Sequence, residues 1–139
     1  MGKNQTIIRS QIEAATQVLQ QLTFALSPEY LGLVSTNGQP ISVISSTKLA
    51  DSDAIASLAA SSFAASRQLT SMIEDSPNTV MLHEGTDLNI LMAQVSSNVL
   101  LVICFRHSSD IGRVRLITKR SVDSLAEAFM SEGEKNGAD

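Results

Sequence analysis

A continuous apolar run, Leu100-Leu-Val-Ile-Cys-Phe105, lies between the turn-like Ser96-Ser97-Asn98 and Arg106. So short an apolar run with a turn signal before it predicts a strand. Successive side chains of a strand point to opposite faces, so an unbroken apolar run must be covered on both sides. The chain around it must therefore supply two covering layers. With 139 residues, 43% of them hydrophobic, it has the apolar matter to do so.

Helices are legible at both ends. Ile8, Ile12, Ala15, Leu19, Leu22 and Leu26 recur at gaps of three and four, the amphipathic helix period. Asn4 or Thr6 is the expected cap, and Pro28 stops the helix near Ser27. At the other end Ile111, Val114, Thr118, Val122, Leu125 and Phe129 form one stripe, opened by Ser108 or Ser109, with Leu116 outside it.

Between them, Leu31–Val34 and Ile41–Ile44 flank Asn37-Gly38. That dipeptide predicts a tight hairpin with a type I′ turn, which needs positive φ at both central residues. Pro40 has no amide hydrogen, so it belongs at a strand start or edge. Three further strands are expected at Thr79–His83, Asp87–Val95 and Val99–Arg106, separated by Glu84-Gly85-Thr86 and Ser96-Ser97-Asn98. The predicted order is α-β-β-α-β-β-β-α. It implies an α/β (α+β) three-layer sandwich around a five-stranded antiparallel sheet.

The middle helix, capped by Asp51 or Ser52 and running to about Asp75, is the unusual one. Ile55, Leu58, Ser62, Leu69 and Ile73 share one face and are the expected core stripe. Ala56, Ala60 and Ala64 repeat every four residues as a smooth ridge. Arg67 is the only charge between Asp53 and Glu74. An ordinary surface helix carries several charges, so this one is expected to be covered on more than one side.

Composition narrows the chemistry. Net charge is −4, which argues against a general nucleic-acid binder. One cysteine excludes a disulfide framework within the chain, and two histidines make a His/Cys zinc site improbable. The seven glycines never form a phosphate loop or a dinucleotide fingerprint. Cys104 lies in the most apolar strand and reads as core. His83 and His107 have no nucleophile placed beside them. Asp51, Asp53, Glu74 and Asp75 read as helix-end charges, and Glu84 and Asp87 as turn residues. Arg106, Arg113, Arg115, Lys119 and Arg120 form a local basic cluster, read as a solvated helix margin or as an anion-binding patch. No catalytic, cofactor or metal site is expected. No signal-peptide core or membrane-length apolar run is present, so the expected location is cytoplasmic. Residues 1–130 are expected to form a single domain and 131–139 a disordered polar tail.

Three segments in this order resemble the Roadblock/LC7 family, whose fold is related to longin and profilin. They are Gly32-Leu-Val-Ser-Thr-Asn-Gly-Gln-Pro-Ile41, the Ala/Ser-rich middle helix, and Ile111-Gly-Arg-Val-Arg115 after an apolar strand. The likeness covers about residues 4 to 130. It is greatest to prokaryotic members, including MglB-type regulators of Ras-like GTPases.

The resemblance implies a homodimer, not an enzyme, in which second helices and third strands pair. The expected dimer contacts are Ala56, Ala60 and Ala64, whose small side chains permit close helix approach, with Thr79, Val80, Met81, Leu82 and His83. The paired helices form a platform for a Ras-like small GTPase (MglA-type), with Ser57, Ser61, Arg67, Gln68 and Met72 as expected partner-binding residues. The implied function is a scaffold or a stimulator of GTP hydrolysis that orders the partner's switch segments. The alternative is a structural adaptor joining larger assemblies.

Overall fold

The protein is described by a computed structural model covering residues 7–45, 51–74 and 79–130. Asn4, Thr6, Asp75 and the 131–139 tail lie outside the described residues. Helix α1 spans Arg9–Leu26. Its N-cap is Ile8, whose amide donates to Gln11 Oε1 at 3.0 Å. It ends on Ser27, which takes the left-handed conformation with φ 46° and returns its amide to the Thr23 carbonyl.

Strands β1 (Tyr30–Ser35) and β2 (Pro40–Ser45) form the expected hairpin, but not with the expected turn. Gly38 alone has positive φ there, at 92°; Asn37 does not. Gly38 donates its amide to the Ser35 carbonyl at 2.9 Å. The register slips between Leu33 and Val34, leaving Ile41 as an extra residue on β2. A four-residue loop whose one left-handed position is Gly38 thus replaces the two-residue type I′ turn.

The remaining elements are α2 (Ser52–Ser71), β3 (Val80–Glu84), β4 (Leu88–Ser96), β5 (Val99–Arg106) and α3 (Ile111–Ala128). The five strands form one antiparallel sheet in the order β2-β1-β5-β4-β3. The apolar run is β5, at its centre. Its Leu101, Ile103 and Phe105 join Ala15, Leu19, Leu22, Val114 and Leu125 in the core under α1 and α3. Its Leu100, Val102 and Cys104 face the other way, with Ala56, Ala60 and Phe63 of α2. Alternation along one strand thus builds both cores.

Helices α1 and α3 lie antiparallel. Gln11 Nε2 donates to the Phe129 carbonyl at one end, and Arg113 Nη1 donates to the Ala25 carbonyl, at 3.0 Å, at the other. The α3 cap is Asp110 rather than either expected serine; its Oδ1 accepts from the Arg113 amide at 3.2 Å. A carboxylate at that position also meets the positive end of the helix dipole.

The hairpin turn touches α2. A Cβ at Gly38 would stand 3.2 Å from the Ser57 Cα, and φ there is one that L side chains rarely adopt. Gly38→Ala is therefore expected to destabilise the fold by about 1–2 kcal/mol. Urea unfolding followed by circular dichroism checks this; an unchanged midpoint would contradict the turn geometry.

Candidate functional site

Helix α2 begins where Asp51 Oδ1 accepts the Asp53 amide at 2.9 Å. Its faces are rotated from the expected arrangement. Ala56, Ala59, Ala60 and Phe63 are buried against the sheet. Leu58 and Leu69, expected in the core, are 70% and 61% exposed, and Ile73 beyond the helix is also exposed. The small side chains let α2 lie close to the sheet. The leucines stand on its flank.

Leu58 looks toward the β3 side of the sheet. Ile55, Leu58, Ala59 and Ser62 of α2 form one wall of a half-open apolar cavity of about 340 Å³. His83, Ile90, Met92, Val102 and Cys104 on β3, β4 and β5 form another. Beyond it β3 is the sheet's edge, with Val80 and His83 exposed. Among the described residues an open strand edge therefore adjoins an apolar hollow and the exposed Leu58.

The outward face of α2 is uncharged. Ala54, Ser57, Ser61, Ala64, Ala65, Gln68 and Met72 are all exposed. Burying such a face against a partner carries little cost of desolvating charge.

A family profile for the Roadblock/LC7 domain matches residues 15–105. The chain belongs to the Roadblock/LC7 family. The solved structure of Myxococcus xanthus MglB is 30% identical, with a TM-score of 0.82 over 90% of this chain and 94% of that one. The gliding protein MglB of Thermus thermophilus is 21% identical, with a TM-score of 0.82 over 93% and 98%. A further MglB, described as having a tetrameric arrangement, is 22% identical, with a TM-score of 0.83 over 93% and 97%. No curated protein matches the sequence significantly.

Within this Roadblock/LC7 chain the expected site residues divide. Of the alanine ridge, Ala56 and Ala60 are spent on the chain's own core, and only Ala64 reaches the surface. They are therefore not a free helix-pairing ridge; the exposed flank is Leu58 and Leu69. Of the edge segment, Thr79, Val80 and His83 are exposed, Leu82 is half-buried and Met81 is buried. Ser57, Ser61, Gln68 and Met72 are exposed, although the Ser57 hydroxyl also reaches the Gly38 carbonyl at 3.4 Å. Arg67 is half-buried and turned back to the sheet, where Nη1 donates to Gln94 Oε1 on β4.

The reactive side chains are held as structure. Burial, and secondarily the Glu29 charge, push the Cys104 thiol up, away from a thiolate nucleophile. Burial likewise pushes the Tyr30 phenol up, partly offset by the Ser52 side chain. The Tyr30 ring lies over Gly32, where a Cβ would meet its hydroxyl at 2.9 Å. His107 Nδ1 lies 3.1 Å from the Oδ1 of buried Asn89, which also accepts the Gly85 amide. His83 stands on the edge strand. Among the described residues no three His, Cys, Asp or Glu side chains are grouped to hold a metal ion.

Leu58 and Leu69 were legible as apolar but were expected in the core, whereas they stand exposed. The signal that identifies the inner face is the alanine spacing itself, since close helix–sheet contact selects small side chains.

Proposed function

We propose that this protein is a homodimeric, non-enzymatic regulator or scaffold for a Ras-like small GTPase. The observation that carries the reading is the uncharged exposed face of α2. It lies beside an apolar flank and an open β3 edge. The dimer forms by antiparallel pairing of β3 with its mate, which satisfies the open edge. In that arrangement the mate's α2 covers the hollow beside Leu58 and Ile90. The two outward faces then make one platform, on which Ser57, Ser61, Gln68 and Met72 contact the GTPase. Met72 supplies an adaptable apolar contact. The likeness to MglB structures, including one with a tetrameric arrangement, supports self-association of this kind.

The regulator acts by binding one state of the partner's switch segments more tightly, since only a difference in affinity shifts a conformational equilibrium. Calorimetry with an MglA-type GTPase, loaded with GDP or a non-hydrolysable GTP analogue, tests this. Binding is expected to be at least about tenfold tighter to the GTP-like form, and Met72→Asp should weaken it about tenfold. Equal affinity for both forms identifies an adaptor without switch reading. Absence of binding to either rejects the GTPase partner.

A further inference from the structure

We infer that the outer face of the α1/α3 layer docks peripherally on an anionic lipid surface. The reading is independent of the GTPase proposal, because this face lies on the opposite side of the sheet from α2.

The first observation is charge. Arg113, Arg115, Lys119 and Arg120 occupy the first half of α3, and all four are exposed. None forms a salt bridge among the described residues, whose ion pairs are Arg9–Glu13 and Arg106–Glu29. The chain's net charge is −4, so this is a local reversal of sign. It also opposes the helix dipole, which favours carboxylates at that end and disfavours cations. The acids nearest them on α3 are the cap Asp110, at its start, and exposed Asp123, one turn on from Lys119 and Arg120, so the patch keeps an excess of four cations over these two carboxylates.

The second observation is apolar. Leu116 is 51% exposed in the midst of these cations. Phe24 is 93% exposed on α1. The Arg113–Ala25 hydrogen bond places the end of α1 carrying Phe24 beside the basic half of α3. From Ala14 to Ser27, α1 contributes no charged residue. Two exposed apolar side chains beside four cations that make no salt bridge among the described residues match the interface of a membrane. Phe24 and Leu116 enter the headgroup–acyl boundary, and the arginines and lysine meet lipid phosphates. A nucleic-acid surface offers nothing to Leu116, and the patch carries one aromatic ring instead of the series on which bases stack. No helix among the described residues is long and apolar enough to cross a membrane.

Flotation with phosphatidylcholine vesicles, with and without about 30% phosphatidylglycerol, tests the proposal. The protein is expected to float with the anionic vesicles only, and to be released as salt rises to about 0.5 M. Arg115→Glu with Lys119→Glu should lower partitioning at least about 25-fold. Phe24→Ser, a surface change, should lower it about tenfold; circular dichroism confirms that each variant is folded. The proposal is overturned by equal flotation with neutral vesicles or by no flotation. Binding to a DNA duplex in place of vesicles, or assembly into larger particles through Phe24 in place of flotation, also overturns it.

Discussion

Ala60→Glu is expected to unfold the protein or bring it close to unfolding, with a loss of about 3–5 kcal/mol. Ala60 is 6% exposed and packs against β1 and β5 with Val34 and Val102. Arg67, the one cation of the helix, lies two turns on and is occupied with Gln94. The glutamate must either be buried uncompensated or prise α2 from the sheet. Ala64→Glu, one turn on and exposed, should change stability by no more than about 0.5 kcal/mol. Urea unfolding of both variants measures the contrast. A folded Ala60→Glu with an unchanged midpoint would show that this alanine faces outward.

Leu58→Glu combined with Leu69→Glu is expected to do the converse, keeping the fold and separating the subunits. Both leucines are largely exposed in the single chain, so their loss removes little of its core. In the proposed homodimer they are buried against the mate, each contributing about 1.5–3 kcal/mol. Removing both weakens association at least about 100-fold, and the buried charges weaken it further. Light scattering across a concentration series, beside a thermal melt, reads the two effects separately. A double variant that remains dimeric removes this flank from the interface. A wild-type chain that is monomeric at micromolar concentration removes the dimer.

These paired variants mark where sequence reasoning worked and where it failed. The sheet was legible because β5 is apolar on both faces and its neighbours are bounded by clear turns. Both flanking helices were legible because their stripes are long and have polar backs. Leu116 was correctly placed off the α3 stripe, where it is half-exposed. Helix α2 lacks a charged back, so periodicity offered two candidate inner faces, and hydrophobicity favoured the leucines. The structure buries the alanines with Phe63 instead, as small side chains suit a helix packed on a sheet. The hairpin was anticipated, but its turn was not. Asn-Gly is compatible with loops of several lengths, and the register slip at Leu33/Val34 selects among them. The α3 cap moved from serine to Asp110 because all three candidates are adjacent good cappers. For the platform, sequence found the lack of charge on α2. It could not find the cavity beside it, which needs side chains from four strands at once.

The two margins of the sheet differ. β3 is regular and open, whereas β2 starts at Pro40 and carries the unpaired Ile41. If both margins were good templates, β3 of one molecule would join β2 of the next. Head-to-tail addition of that kind has no natural end and yields ribbons or fibres. A proline without a donor and a twisted, bulged strand make β2 a poor acceptor. In the proposed homodimer the remaining strand margin then has only its own likeness to pair with, and growth along the sheet would stop at two chains. Relieving that block, for instance with Pro40→Thr, is where a tendency to polymerise would first appear.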